Sequence, residues 1–287
     1  MAAQASPEQP KLLQLAAINS FMGHPSPDRE WSFERKIAEV AGAGFDGFTG
    51  RAPPITRQMV EDSGLLFWCT TDIETARDIK PALAAAQEAG ASTVNVQMGN
   101  HDTPTRTAVA LARRTLAAAD EMGIEAAIEV HRDTATETPE KAYALADGFA
   151  KAEGRLLPMV WDHSHPAVIK HLPPPFAGRL LDRPELVQNS NWFHLRAFNG
   201  HHAQVPVIDG DGKATPEFHD WIEFVDELIQ LWLAAAAPGA TLWTCPEMIA
   251  SGYRLSVFTD NWRQALFIRD AVDEVWRRRL PDWSPPA

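Results

Sequence analysis

Apolar and polar residues along the chain follow two different periods, and the two periods succeed each other repeatedly. Short runs with a period of two, such as 91–99, predict strands, because successive side chains of a strand point to opposite faces. Longer runs with apolar residues three and four positions apart, such as 216–233, predict amphipathic helices. The predicted strands cover residues 11–20, 47–50, 65–71, 91–99, 125–131, 157–163, 191–197 and 241–247.

Eight strands that alternate with helices favour a closed parallel barrel, the (β/α)8 or TIM barrel of the α/β class. An open doubly wound sheet would more often show about five to seven strands and a glycine-rich first turn. The sequence contains no Walker motif. We therefore expect one barrel domain over residues 11–280, with flexible termini at 1–10 and 281–287. Helices are expected at 31–43, 73–88, 139–152 and 216–233 among others, and long irregular loops at 166–188 and 199–216.

The charge balance argues against nucleic acid as a partner. The chain has 26 Lys and Arg against 38 Asp and Glu, a formal net charge of −12, and its longest basic run is 277–279. No apolar stretch approaches the roughly 18 residues of a spanning helix, and the first ten residues lack the pattern of a signal peptide. We expect a cytoplasmic protein with no membrane partner. Cys69 and Cys245, the only cysteines, are too few for a disulfide framework or a thiolate metal cage.

Each of the last four predicted strands ends in a residue that can bind a metal, and we call Glu129, Asp162, His194 and Glu247 the tetrad. Their separations are 33, 32 and 53 residues. The first two equal one strand-plus-helix unit, and the loop at 199–216 lengthens the third, so the four side chains should meet at one end of the barrel. Crowded carboxylates repel each other unless a divalent cation neutralises them. Taken singly, each residue is more often a helix cap, a loop ion pair or a packing histidine.

The tetrad resembles the metal site of the xylose isomerase-like barrels, most closely that of the tagatose/psicose 3-epimerases and the related sugar-phosphate isomerases. The similarity covers nearly the whole chain. It includes residues 33–47 with the sequence Ala-Gly-Phe-Asp-Gly, the Asp-x-x-His spacing of Asp162 and His165, and residues 205–212 before a helix.

This resemblance implies a two-base mechanism. In the family, one divalent ion binds a substrate carbonyl and the neighbouring hydroxyl, and it stabilises the enediolate that forms when a carboxylate removes the adjacent proton. Glu129 and Glu247 correspond to the carboxylates that transfer the proton, while Asp162 and His194 only hold the ion. His165 corresponds to a residue that contacts a substrate oxygen, although it can also cap the following helix.

The resemblance and the ligand chemistry together set the expected partners. Three carboxylates with one imidazole favour Mn²⁺, with Mg²⁺, Co²⁺ and Zn²⁺ as alternatives. The substrate is expected to be a small sugar or sugar-like polyol, and the assembly a homodimer or homotetramer. Four further residues are candidates for substrate contacts. His131 and Arg196 share strand faces with Glu129 and His194, and Asn19 and His101 lie at or just past strand ends.

Two positions depart from the ketose epimerases and leave the substrate open. Ala135 stands where those enzymes carry a second glutamate, and Gly200 stands where they carry an arginine. Ala197 likewise replaces the acid of a frequent His-x-x-Asp pattern after the seventh strand.

The sequence favours a metal-dependent isomerase or epimerase, and three other functions remain open. A dehydratase of the inosose or dehydroshikimate type can use the same metal site, because an enediolate with a β-hydroxyl group can expel water. A phosphodiesterase resembling the AP endonucleases needs further metal ligands and a basic surface, and the sequence shows neither. The last alternative is a barrel without catalytic activity that serves as a subunit.

Overall fold

A computed structural model describes residues 7–250, 252–258 and 260–286. Eight parallel strands form a closed barrel in which each strand pairs with the next along the chain and β8 pairs with β1. The strands are β1 (Lys11–Ala17), β2 (Gly47–Gly50), β3 (Leu66–Ile73), β4 (Thr93–Met98), β5 (Glu125–Val130), β6 (Met159–Asp162), β7 (Trp192–Leu195) and β8 (Thr241–Pro246). The predicted (β/α)8 barrel is confirmed.

Helices surround the barrel, and several begin at a side chain that satisfies the free N–H groups of the first turn. Thr138, Thr215 and Asp260 each accept a hydrogen bond from a backbone N–H three residues later. The helices are α1 (Phe33–Gly42), α2 (Arg57–Ser63), α3 (Ile79–Glu88), α4 (Thr105–Met122), α5 (Pro139–Glu153), α6 (Ser164–Ile169), α7 (Ala177–Leu180), α8 (Pro184–Gln188), α9 (Pro216–Leu233) and α10 (Asn261–Arg279).

Some elements differ from the predicted ones. β3 continues to Ile73, which pairs with Met98, so α3 begins at Ile79 rather than at residue 73. α2 was not predicted, because Val60 is its only buried residue and no apolar period is visible. The segment 166–188, expected to be irregular, contains the short helices α7 and α8 and most of α6. Helices of four to six residues are too short to show a helical period.

The barrel interior is divided into an apolar half and a polar half. Trp68, Trp192 and Trp243 lie toward the amino ends of their strands, with ring centroids 4.2 Å apart for Trp68–Trp192 and 4.7 Å for Trp68–Trp243. Together with buried residues such as Leu15 and Val160 they fill this end of the barrel. A second, larger apolar layer fills the space between strands and helices. The polar side chains are therefore left at the carboxyl end, where TIM barrels carry their sites.

The described parts of the termini contact the barrel. The Gly239 N–H donates to the backbone oxygen of Glu8, and the Trp283 indole N–H donates to the oxygen of Ala236. Residues 1–6 and 287, which belong to the predicted flexible termini, lie outside the described residues. The domain limits at residues 11 and 280 stay a prediction. Within the described part of the chain, no helix is long and apolar enough to cross a membrane.

Candidate metal and active site

Three residues of the tetrad meet at the carboxyl ends of β5, β6 and β7. Asp162 ends β6 and pairs in register with His194 of β7, while Glu129 lies near the end of β5. One ligand atom of each residue lies within 4.8 Å of the others, and all three residues are buried. These three side chains are placed so that they can share one ion.

Glu247, the fourth residue of the tetrad, lies beside this group and is held by an arginine. Its Oε2 is 3.3 Å from Nδ1 of His194, and it accepts a hydrogen bond of 2.6 Å from Nη2 of Arg196. The same Nη2 lies 3.1 Å from Oδ2 of Asp162. The four side chains of the tetrad therefore lie close together, and the guanidinium of Arg196 lies between the carboxylates of Asp162 and Glu247.

The geometry of these atoms fits a divalent cation. Nδ1 of His194 is 2.9 Å from Oε1 of Glu129, yet this nitrogen and Oδ2 of Asp162 have no hydrogen-bond partner among the described residues. Two ligands that each lie about 2.1 Å from one ion at right angles are about 3 Å apart, so the short contact is that of atoms aimed at a shared point. Arg196 compensates one of the three carboxylates, and a divalent ion would balance the other two.

The electrostatics keep the carboxylates ionised. Burial would raise the pKa of Glu129, but His194 and His131 outweigh it and lower that pKa to about 2. Burial is likewise outweighed at Asp162, where Arg196 and His165 hold the pKa well below its usual range. For His194 burial acts to lower the pKa, whereas Glu247 and Glu129 raise it well above its usual value. The carboxylates therefore stay ionised and favour a proton on His194, which a cation bound by this histidine would have to displace.

Two amides of β4 hold Glu129 in place. Nδ2 of Asn95 and Nε2 of Gln97 donate to Oε2 of Glu129 at 2.7 and 2.9 Å, which leaves Oε1 facing His194. Neither residue was among those predicted for the site. A signal was present, because two amides that alternate with Val94 and Val96 in a buried strand must face the barrel interior.

Two of the predicted substrate-contact residues, His131 and His165, lie near the tetrad. Nε2 of His165 lies 3.3 Å from Oδ2 of Asp162, and burial lowers the pKa of His165. The ring of His131 lies 4.3 Å from that of His165. Nδ1 of His131 is 2.8 Å from the backbone oxygen of Arg132, and because a carbonyl only accepts, this nitrogen donates.

Tyr253, in the loop after β8, packs on Arg196 and was not among the residues predicted from the sequence. Its ring lies 4.1 Å from Cζ of Arg196 and 4.6 Å from Cζ of Arg132, and its hydroxyl accepts from Nε of Arg132 at 2.5 Å. The surrounding loop has no periodic pattern, so nothing in the sequence pointed to this residue.

Two predicted substrate-contact residues are not brought to the tetrad by any contact within the described residues. Asn19 is exposed in the turn Ile18–Phe21 that follows β1. His101 is exposed too, with Nδ1 2.5 Å from Asp133 and Nε2 3.5 Å from Asp102. Their assignment as substrate-binding residues stays a prediction.

The two departures from the ketose epimerases have structural counterparts. A Cβ at Gly200 would lie 2.4 Å from the backbone oxygen of Leu172, so no side chain fits there. Ala135 is buried, and its N–H donates to the backbone oxygen of Met98. No arginine side chain therefore fits at position 200, and the methyl group of Ala135 is enclosed by its neighbours.

A polar pocket of about 240 Å³ opens beside Glu129, at the ends of β3, β4 and β5. Its walls include Asp72, Glu74, Gln97, His131 and Arg132. Gln97 joins this pocket to the candidate metal site, because it donates to Glu129 and its oxygen accepts from Arg51 at 3.2 Å.

Comparison with solved structures supports the fold. A D-allulose 3-epimerase from Methylomonas sp. is 15% identical, with a TM-score of 0.57 over 96% of this chain and 100% of that chain. The probable 3-DHS dehydratase from Bacillus anthracis is 14% identical, with a TM-score of 0.55 over 91% of this chain and 97% of that chain. A xylose isomerase-like TIM barrel/4-hydroxyphenylpyruvate dioxygenase fusion protein is 16% identical, with a TM-score of 0.56 over 96% of this chain.

The chain spans 45% of the length of that fusion protein. No family model matches the sequence, and no curated protein matches it. The predicted resemblance to xylose isomerase-like barrels is confirmed as a likeness of fold.

Proposed function

We propose that this protein is a divalent-metal-dependent isomerase or epimerase of a sugar or sugar-like polyol. The observation that carries the proposal is the buried group of Glu129, Asp162 and His194, whose ligand atoms lie within 4.8 Å of one another at the carboxyl end of the barrel. The likeness of fold to sugar epimerases supports it.

Glu129 and Glu247 are the two carboxylates proposed to move the proton. The proton passes from the substrate carbon to one carboxylate while the electron pair of that C–H bond moves toward the carbonyl oxygen. Return of a proton to the opposite face gives an epimer, and return to the neighbouring carbon gives an isomer. Glu129, Asp162 and His194 would hold the divalent cation, whose positive charge would stabilise the negative charge that develops on the substrate oxygens.

The surrounding side chains are proposed to orient the substrate. His165 and Arg196 present buried nitrogens without hydrogen-bond partners among the described residues, and such donors favour an oxygen-rich ligand. The polar pocket beside Glu129 offers space for the remaining hydroxyl groups. Because Gly200 and Ala135 replace two family positions, a substrate other than a free ketohexose is favoured.

A dehydratase is the second candidate, because the likeness of fold to a probable 3-DHS dehydratase is about as high as that to an epimerase. Loss of water from the enediolate would yield a conjugated product that absorbs in the ultraviolet. Absence of such absorbance during turnover would count against the dehydratase.

The experiment that tests the proposal combines metal analysis with isotope exchange. The Mn²⁺ content of wild type, Glu129→Gln and Glu247→Gln is measured, and each protein is incubated in D₂O with excess Mn²⁺ and a panel of ketoses and inososes. We expect wild type to incorporate deuterium at the carbon next to a carbonyl of one substrate and both variants to lose at least about a hundredfold in rate. Metal-loaded wild type that labels no member of the panel would reject proton abstraction from those substrates.

Several finer statements stay predictions that belong to this proposal. They are Mn²⁺ as the ion in preference to Mg²⁺, Co²⁺ or Zn²⁺, a homodimer or homotetramer, a cytoplasmic location, and the lack of nucleic-acid and membrane partners.

A further inference from the structure

Arg196 is a permanent positive charge inside the candidate metal site. It lies two residues after His194, so both side chains point into the barrel, and it is 1% exposed. Its Nη2 is shared between Asp162 and Glu247, and the ring of Tyr253 covers one face of the guanidinium. Arginine does not lose its proton in proteins, so this charge is present with or without an ion nearby.

The contacts of Arg196 with the two carboxylates are not equivalent. Nη2 donates a hydrogen bond of 2.6 Å to Oε2 of Glu247. Its 3.1 Å contact with Oδ2 of Asp162 lacks hydrogen-bond geometry, and that oxygen has no other hydrogen-bond partner among the described residues. Asp162 therefore keeps an oxygen free for an ion, whereas Oε2 of Glu247 is engaged by a short, charge-assisted hydrogen bond.

The positions of the ligand atoms agree with this difference. Glu129, Asp162 and His194 form a compact group of possible ligands among the described residues, and Glu247 is outside that group although it lies 3.3 Å from His194. The oxygen of Glu247 nearest to His194 is the one that accepts from Arg196.

We propose that Arg196 is a positioning residue that holds Glu247 off the ion. The ion then has three protein ligands, Glu129, Asp162 and His194, and Glu247 is kept as an uncoordinated carboxylate for proton transfer. This inference rests on the proposed metal-dependent function. In this arrangement the negative charges of Glu129 and Asp162 compensate the ion, and the negative charge of Glu247 is compensated by Arg196.

A charge-matched pair of variants tests the proposal. Arg196→Gln with Glu247→Gln removes one positive and one negative charge together, so the net charge at the ion is unchanged, whereas Arg196→Gln alone frees Glu247. Mn²⁺ affinity is measured by titration, and the ligand set is read from the visible absorption of the Co²⁺-loaded proteins. We expect the double variant to retain the wild-type affinity within about threefold and the wild-type Co²⁺ spectrum.

Arg196→Gln alone is expected to bind Mn²⁺ at least about tenfold more tightly, with a changed Co²⁺ spectrum, because a positive charge is removed and the carboxylate of Glu247 joins the ion. If this single variant does not fold, the Mn²⁺ affinity and Co²⁺ spectrum of the charge-balanced double variant still show whether Glu247 is a ligand. Arg196→Lys, which keeps a donor and a charge, is expected to restore the wild-type spectrum.

A loss of tenfold or more in Mn²⁺ affinity in the double variant would show that Glu247 is a ligand and would overturn the inference. In that case Glu129→Gln would still abolish Mn²⁺ binding and the proposed function would stand. Wild type that binds no Mn²⁺ would overturn both.

Discussion

His163 follows a proposed metal ligand along the chain, yet it packs on the other side of the strand. Its ring stacks on Trp161 with centroids 5.2 Å apart and meets Phe224 of α9 edge-on at 5.1 Å. Both ring nitrogens are buried without hydrogen-bond partners among the described residues. Burial lowers the pKa of His163 to about 4, so the side chain is a neutral part of the core.

This burial makes folding stability depend on pH. Because the pKa of His163 is lower in the folded chain than in the unfolded chain, the unfolded state takes up the proton first as the pH falls. Stability is then full above about pH 6.5 and decreases toward pH 4, by about 3 kcal/mol for a difference of 2.5 pKa units. We expect the stability of His163→Phe to lack this decrease at low pH, as measured by urea unfolding in EDTA from pH 4.5 to 7.5. Parallel curves for wild type and variant would contradict the assignment.

At the scale of elements, the segment after β7 packs directly on the end of α6. Gly200 lies against the backbone of His171 and Leu172, and a Cβ at Gly200 would meet three of their atoms within 3 Å. These neighbours are backbone atoms, which cannot move aside as a side chain would. The loop that follows β7 is therefore fixed by backbone contact at its beginning.

Gly200→Ala is expected to destabilise the protein by about 3 kcal/mol or more, because the added methyl group overlaps the oxygen of Leu172. Gly42→Ala, at the end of α1, is the matched control, since a Cβ there meets nothing within 4 Å. The control should be neutral or stabilising by up to about 1 kcal/mol. Equal midpoints of thermal unfolding for the two variants would rule out the close contact.

At the scale of the whole molecule, an ion that binds only the folded chain must also stabilise it. At a free Mn²⁺ concentration of about 100 times Kd the gain is about 2.7 kcal/mol, which corresponds to a rise in Tm of about 5 °C for a chain of this size. Calorimetry with Mn²⁺ and with EDTA measures this difference. Glu129→Gln should show no rise, and an equal rise in that variant would place the ion elsewhere.

The barrel and the position of the tetrad were predictable because both repeat along the chain. The strand period recurs eight times, and Glu129, Asp162 and His194 are spaced by one repeating unit. The contacts that adjust the site were not predictable in the same way. The hydrogen bond from Arg196 to Glu247 joins residues that are 51 positions apart in the sequence. The hydrogen bond from Arg132 to Tyr253 joins residues that are 121 positions apart. Such pairs follow from how the barrel closes and leave no periodic trace in the sequence.

The indoles of Trp68, Trp192 and Trp243 pack against one another inside the closed barrel. They close the barrel at the amino ends of its strands, so a substrate of the proposed enzyme is expected to enter and leave at the carboxyl end, past Tyr253.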